Sequence, residues 1–392
     1  MKLAIVTGDD LLGDDPQQLC AALVARGHEA TAYLRRQGRR RPIAVSGDYR
    51  IVPTRVGPRA GASPPTVLPY VGEWAATLER LWASDRPDVV HAYGWLGGLA
   101  AQLAARRRIP TVQSFQGLIA TSRPRRNGGP GQESERERIE PLLARGATWV
   151  TGECTADVDV LARLRRGRTR VSSLGSGVDV ERYSPVGPAA ARRGLRRVLC
   201  LGPNALWSNG FDIAIRALPQ VMGAELVVAE TAAGDPSHDE ARAGLERLAA
   251  ELGVADQVRF AGRVGDDELP MLLRSADVLV CTPRQPPRAT FVLRAMASGV
   301  AVLTLPVGVL TDAVVDSVTG FVLSQQSPAA VAVALRNLLA HSFQCDSMGA
   351  AGRSRAVSRF TWDRIALDAL NIYRQLGSES SVPAELQSTQ AR

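Results

Sequence analysis

Short apolar runs alternate along the chain with longer segments in which apolar residues recur every three or four positions. Runs such as Leu3–Gly8 and Thr111–Phe115 predict buried strands, because strands covered by helices on both faces are hydrophobic throughout. Segments such as Pro16–Arg26, with Gly27 as its stop, predict helices. Further strands are predicted at His28–Leu34, Val89–Gly94, Trp149–Glu153, Arg197–Gly202, Glu225–Glu230, Val258–Gly262, Val278–Thr282, Ala301–Leu305 and Gly320–Leu323. This alternation is typical of parallel βαβ units.

The length of 392 residues suits two domains, and a stretch rich in Pro, Gly and Ala separates the two series of strands. The pattern predicts an N-terminal domain over 1–182, a linker over 183–196 and a C-terminal domain over 197–358. A polar, aperiodic tail over 377–392 is expected to be flexible. Two doubly wound α/β domains that face each other are expected to form a ligand cleft at the carboxyl ends of their strands.

The positive charge of the chain has two alternative explanations, one of which involves an anionic partner. The formal net charge is +8, and Lys2 is the only lysine, so nearly all of the positive charge is arginine. A GC-rich genome is the simplest explanation. Runs at 35–41, 106–108 and 163–170 are alternatively suited to phosphates of a membrane surface or a nucleotide. Because aromatic residues make up 5% of the chain and do not interleave with these runs, we expect no nucleic-acid partner.

The cysteines and histidines predict neither a disulfide framework nor a metal site. Five cysteines are scattered without a C-x-x-C motif, and four histidines show no metal-ligand spacing. We therefore expect no metal or other cofactor. The N-terminal apolar run is too short for a signal-peptide core, and no run of about 20 apolar residues is present. A cytoplasmic protein is expected, with peripheral contact at the inner membrane face as an alternative.

The segment CTPRQPPRATFVLRAMASG, Cys281–Gly299, resembles the donor-site segment of family 4 glycosyltransferases. Leu293, Ala295, Met296, Ala297 and Gly299 keep the frame of the family pattern L-E-A-M-A-x-G. Similar resemblance extends over Arg86–Phe115, Gly175–Pro185, Gly210–Val221, Val258–Pro283 and Arg359–Leu376. The resemblance implies a GT-B architecture, with two Rossmann-like doubly wound domains and an interdomain cleft. It also implies that the first domain takes the acceptor, that the second takes a nucleotide sugar, and that a helix over 359–376 returns to the first domain.

The residues that the family uses for its chemistry are replaced here. Its two glutamates, which hold sugar and ribose hydroxyls, correspond to Pro286 and Arg294. The arginine and lysine that hold the donor diphosphate correspond to Pro203 and Asn209. The histidine near the reacting sugar corresponds to Gln116, which cannot exchange a proton near neutral pH.

Several positions remain candidates for the cleft. Gln116 and His91 are the candidates for a place near the reacting sugar, and His91 is alternatively a structural histidine. The candidate nucleotide-sugar ligands are Gly13, Asn209, Gly210, Arg263, Val264, Arg288, Thr290 and Arg294. Among the arginines Arg284, Arg288 and Arg294, two alternatives are open. They replace the missing diphosphate clamp, since arginine binds phosphate bidentately, or they are solvated side chains in a site that has drifted.

Two functions follow from this resemblance. The first is retaining, metal-independent transfer of a sugar from a nucleotide diphosphosugar to a small or lipid-linked acceptor, through a rewired donor site. The second is a catalytically degenerate pseudoenzyme that binds a nucleotide, a glycan or a partner glycosyltransferase without turnover. The sugar, the nucleotide and the acceptor are not given by the sequence.

Overall fold

The computed structural model describes residues 1–8, 15–35, 49–58, 63–121, 135–232 and 236–380. The chain divides into two compact units, Met1–Gly175 with Trp362–Arg392, and Ser176–Thr361. The pattern-based boundary at 182 and 183 thus falls within the second unit, which also contains the predicted linker. Both units are α/β, with parallel sheets flanked by helices.

The first unit contains a seven-stranded parallel sheet in the order β3-β2-β1-β4-β5-β6-β7. Its strands are β1 Lys2–Thr7, β2 Glu29–Arg35, β3 Arg50–Thr54, β4 Val89–Tyr93, β5 Thr111–Phe115, β6 Trp149–Gly152 and β7 Val171–Ser173. Its helices are α1 Asp15–Ala25, α2 Pro64–Val67, α3 Val71–Ser84, α4 Trp95–Ala105, α5 Glu135–Gly146, α6 Thr155–Arg165 and, at the end of the chain, α14 Trp362–Ser380.

The helices cover both faces of this sheet. Helices α3 to α6 pack on one face, and α1 and α14 pack on the other. In α14 the buried residues Ala366, Ala369, Leu370 and Tyr373 recur at helical spacing, so one stripe faces the sheet. The closing helix therefore lies in the first unit. It continues to Ser380. Residues 381–392, most of the tail predicted from 377, lie outside the described residues.

The second unit contains a six-stranded parallel sheet in the order β10-β9-β8-β11-β12-β13. Its strands are β8 Arg196–Gly202, β9 Ala224–Glu230, β10 Val258–Arg263, β11 Val278–Cys281, β12 Ala301–Thr304 and β13 Gly320–Val322. Its helices are α7 Phe211–Ala217, α8 Pro236–Glu251, α9 Glu268–Arg274, α10 Thr290–Ala297, α11 Leu310–Ala313, α12 Pro328–Ala340 and α13 Ser342–Arg359. The prediction of two doubly wound parallel sheets is confirmed.

Candidate functional site

The strand order of the second sheet places a crevice beside β8. The chain runs from β8 through β9 to β10 on one side, and then returns to β11 on the other side of β8. At such a switch point the loops that follow the two central strands diverge, and open α/β sheets bind their ligands there. The two loops concerned are 203–210, after β8, and 282–289, after β11.

These two loops are joined by hydrogen bonds to backbone carbonyl oxygens. Thr282 Oγ1 donates to the carbonyl oxygen of Gly210 over 3.0 Å, and the Arg284 amide donates to the Ser208 carbonyl over 2.8 Å. Gly210 has φ +70°, and a Cβ there would lie 1.9 Å from the Thr282 carbonyl oxygen. Only glycine fits this contact, because it tolerates the left-handed region and has no side chain.

We expect Gly210→Ala to destabilise the second unit by about 2–4 kcal/mol, from the left-handed backbone and the clash together. Gly223→Ala is the matched control, because Gly223 has φ +73° and a methyl group at that position would meet no atom within 4 Å. The control should lose only about 1 kcal/mol. Chemical denaturation of both variants measures the difference, and equal losses would contradict the predicted clash.

The Arg284 side chain also connects the loop after β11 with α7 and with the loop after β8. Its Nη1 and Nη2 donate to Asp212 Oδ1 and Oδ2 over 2.6 and 2.7 Å, and its guanidinium lies 4.7 Å from the centre of the Trp207 ring. The alternative of a solvated side chain is wrong for Arg284, because its guanidinium is paired with Asp212, in the first turn of α7. Since this pair already neutralises its charge, we do not assign Arg284 to a phosphate.

Asn209, at the position of the family's lysine, braces its own loop. Its Nδ2 donates to the carbonyl oxygen and to Oδ1 of Asn204, over 3.1 and 2.8 Å. Asn204 Oδ1 also accepts from the Leu206 amide over 3.2 Å. The Asn209 amide nitrogen thus holds the loop in shape, and the loop itself contributes no cationic side chain.

The arginines on the other side of the crevice have different surroundings. Arg294, on α10, is partly buried, with its guanidinium 5.1 Å from the Tyr183 ring centre and 6.0 Å from that of Phe291. Within the described parts of the chain its side chain makes no hydrogen bond or ion pair. Arg288 Nη2 lies 3.3 Å from Ser176 Oγ, and Thr290 is the first residue of α10. The guanidinium N–H groups of Arg294 therefore have no hydrogen-bond acceptor within the described residues.

Arg263 and Val264 lie at the same edge of the sheet, but two strands away from β8. The Val264 amide donates to the Glu230 carbonyl over 2.8 Å, and the Arg263 side chain is exposed. Glu230 is buried and bound by Arg242 Nε over 2.6 Å. The structure thus brings Gly210 into contact with the loop after β11, keeps Asn209 bonded within its own loop, and leaves Arg263 and Val264 at the far side of the edge.

In the first unit, Gln116 follows β5 at the carboxyl edge of its sheet. Its Oε1 is buried and, as far as the described residues extend, accepts no hydrogen bond. The segment after it is held by two buried carboxylates. Glu140 accepts from the Ile119 amide, and Asp157 accepts from Thr121 Oγ1, each over 3.0 Å. Burial raises the pKa of both carboxyl groups. Gln116 Oε1 is therefore a hydrogen-bond acceptor without a donor among the described residues, and the segment that follows it is held in place.

His91 lies in the core. Its Nδ1 is 2.6 Å from the Tyr373 hydroxyl, its Nε2 is 2.7 Å from Ser114 Oγ, and it is 1% exposed. Burial lowers the pKa of His91 to about 3, so its imidazole is neutral. The suggestion that His91 is a cleft residue is wrong, because both ring nitrogens are used inside the fold. Gly13, the remaining candidate, lies outside the described residues.

Sequence reasoning missed the residues that shape the loops, Asn204, Trp207, Asp212 and Thr282. Sequence spacing gave no signal for the Arg284–Asp212 pair, because the two residues lie 72 positions apart. Within the described ranges, no three His, Cys, Asp or Glu side chains are grouped to hold a metal ion. No helix there is both long and apolar enough to cross a membrane.

Comparison with protein-family models covers both units. Residues 14–177 match the model described as a glycosyl transferase 4-like domain, and residues 196–341 match the model described as glycosyl transferases group 1. The chain belongs to the family 4 glycosyltransferases. The resemblance predicted from the sequence is thereby confirmed, including the GT-B architecture.

The named relatives of this glycosyltransferase chain are different enzymes. It is 30% identical to the D-inositol 3-phosphate glycosyltransferase of Salinispora tropica over 324 residues, which are 77% of this chain and 66% of that protein. It is 28% identical to the glycogen synthase of Mycobacterium tuberculosis over 302 residues, 75% of this chain and 70% of that protein. The family is therefore clear, and the acceptor is not fixed by these relatives.

Solved structures share the fold of this glycosyltransferase chain. Sucrose-phosphate synthase from Thermosynechococcus elongatus has a TM-score of 0.84 at 21% identity, covering 97% of this chain and 100% of that one. HepE of Anabaena, solved in complex with UDP-glucose, has a TM-score of 0.69 at 16% identity, covering 97% and 99%. At these identities the likeness concerns the fold.

Proposed function

We propose that this chain binds a nucleotide diphosphosugar at the carboxyl edge of the second sheet and transfers the sugar, with retention and without a metal ion, to a small or lipid-linked acceptor. One observation carries the proposal. The Arg294 guanidinium is partly buried on the Tyr183 ring and makes no ion pair within the described chain. A cation withdrawn from water without an anion is costly, and a diphosphate would offset that cost.

The roles of the side chains follow from their places. Arg294, with Arg288 at the start of the same segment, binds the diphosphate and stabilises the charge that grows on it as the sugar leaves. The main chain at Val264 contacts the nucleotide base. In the first unit, Gln116 Oε1, which accepts no bond among the described residues, accepts one from a hydroxyl of the acceptor. Family membership, and the UDP-glucose bound by the similarly folded HepE, support this assignment.

Calorimetry with UDP-, GDP- and dTDP-sugars tests the donor site. We expect Arg294→Ala to weaken binding of the preferred donor by about 10- to 100-fold, the usual value of a charge-assisted hydrogen bond. Arg247→Ala, which removes an exposed arginine on α8, should bind as the wild type does. If the wild-type chain bound none of these nucleotides, the proposal would fail.

A second function, binding without turnover, is favoured by a separate observation. At the two positions where the family has glutamates stand Pro286 and Arg294, and Arg284 in the loop after β11 is neutralised by Asp212. The crevice thus lacks the carboxylates that would hold the sugar hydroxyls in place. Release of nucleoside diphosphate from the bound donor separates the two functions. Donor binding without release, together with co-purification of a partner glycosyltransferase, would support the non-catalytic one.

A further inference from the structure

Three helices of the first unit end together at the amino edge of its sheet, opposite to Gln116. Helices α4, α5 and α6 pack on the same face and run antiparallel to the strands. Gln102 Nε2 of α4 donates to the Leu143 carbonyl of α5 over 3.1 Å. Arg165 Nη1 of α6 donates to the Ala144 and Ala147 carbonyls, each over 2.8 Å. These bonds hold the three C-terminal ends in one surface.

That surface is densely cationic. The helix-end basic surface comprises the exposed residues Arg106, Arg107, Arg108, Arg145, Arg163, Arg166 and Arg168. Two of them are neutralised, Arg106 by Glu79 over 2.8 Å and Arg168 by Asp159 over 2.5 Å. The other five make no ion pair within the described ranges of the chain. Their charges therefore remain available to a partner.

Arginine occupies backbone positions here that usually take glycine. Five non-glycine residues of the described chain have a positive φ, and four of them are arginines of this region. Arg106, Arg107 and Arg166 directly follow helix ends, and Arg170 directly precedes β7. Glycine is the favoured residue in this region of φ. A GC-rich genome does not account for arginine over glycine, because glycine codons are equally rich in G and C. The chain places Gly27 and Gly253 at corresponding turns elsewhere, so the guanidinium groups themselves are the distinguishing feature.

Exposed apolar side chains accompany the charges. Leu103 on α4 is 50% exposed and Leu142 on α5 is 62% exposed. Leu103 lies two residues before the end of α4 and Leu142 four residues before the end of α5, close in sequence to the arginines that follow those ends. Leucines beside arginines, without an aromatic residue for base stacking, suit a lipid interface better than a nucleic acid.

We propose that the helix-end basic surface binds membranes that contain anionic lipids. The arginines contact lipid phosphates, and Leu103 and Leu142 enter the boundary between headgroups and acyl chains. Because this surface is at the amino edge, attachment leaves the carboxyl edge of the same sheet, with Gln116, uncovered. The proposal does not depend on the chemistry of the donor site.

Cosedimentation of the full chain with vesicles tests the proposal. We expect binding to phosphatidylcholine vesicles that contain phosphatidylglycerol, weakening as salt is raised, and no binding to phosphatidylcholine alone. The double variant Arg107→Gly/Arg166→Gly should bind about 30-fold more weakly, from the loss of two cations near the surface. Since glycine relieves the strain at both positions, its Tm should not fall, and misfolding is thereby excluded as the cause.

Matched variants complete the test. Arg247→Gln/Arg336→Gln removes two exposed arginines from α8 and α12 of the second unit and should leave vesicle binding unchanged. Leu103→Ser/Leu142→Ser should lower the part of the binding that persists at high salt. Equal binding of the glycine and glutamine double variants, binding to neutral vesicles, or retention by DNA or polyglutamate without vesicle binding would each overturn the proposal.

Discussion

Arg197→Met is expected to destabilise the second unit by about 3–5 kcal/mol, because it leaves a buried carboxylate without its counter-ion. Arg197 is 1% exposed, and its Nε donates to Glu225 Oε1 over 2.6 Å on the neighbouring strand. Its two remaining nitrogens donate to Ser275 Oγ and to the Ala191 carbonyl, each over 2.6 Å. Methionine fills much of the space and replaces none of these bonds.

The double variant Arg197→Met/Glu225→Met distinguishes the stability lost through the unpaired carboxylate from the stability lost through packing. Two apolar side chains of similar volume need no counter-ion, so most of the lost stability should return. Hydrogen exchange of peptides from β8 and β9 measures the local free energy of opening in each variant. A double variant as unstable as the single one would show that the loss comes from packing and from the Ala191 contact, and not from the unpaired charge.

Acidification is expected to destabilise the first unit through His91. Its pKa is about 3 in the fold and about 6.5 when exposed, because burial disfavours the imidazolium. Below pH 6.5 the unfolded chain therefore binds a proton that the folded chain does not. The free energy of unfolding should fall by about 1.4 kcal/mol per pH unit, or roughly 3 kcal/mol by about pH 4.5.

The difference between the wild type and His91→Gln isolates this contribution. Glu140 and Asp157 act in the opposite direction, since their raised pKa values make the folded state bind protons more readily. They are unchanged in the variant, so they cancel. Tryptophan fluorescence in urea reports the first unit, because five of the six tryptophans lie in it. His341→Gln, at an exposed position, should keep the wild-type slope, and an equally steep slope for His91→Gln would refute the prediction.

The sequence predicts the central strands well, because their hydrophobic runs are the direct result of burial on both faces. The run at Thr111–Phe115 coincides with β5, and most of the others agree within a residue at each end. Two edge strands are missed. β3 contains Pro53 and a polar start, and β7 has three residues, so neither carries the apolar run by which a strand is recognised. Edge strands are held by one neighbour and need less apolar surface.

The candidate site is predictable only as a set of positions. Motif spacing places Pro203, Asn209, Pro286 and Arg294 at the edge of one crevice. It does not predict that Arg284 pairs with Asp212, because that contact depends on a loop and a helix 72 residues apart in sequence. Nor does spacing distinguish a buried histidine from an exposed one. His91 is a candidate for the cleft from its sequence position alone, and the Tyr373 hydroxyl that binds it lies 282 residues further along the chain.

The bonds within the loop after β8 also bear on how the site can change. Lysine at position 209 would restore the family's cation, but it would remove the two bonds that Asn209 gives to Asn204, and with them the support of the Leu206 amide. Single reversions to the family pattern should therefore be detrimental, and restoring the family's donor site would require several simultaneous substitutions. The effect of each substitution in this loop therefore depends on the residues at the neighbouring positions, and the substitutions cannot be reversed one at a time without loss.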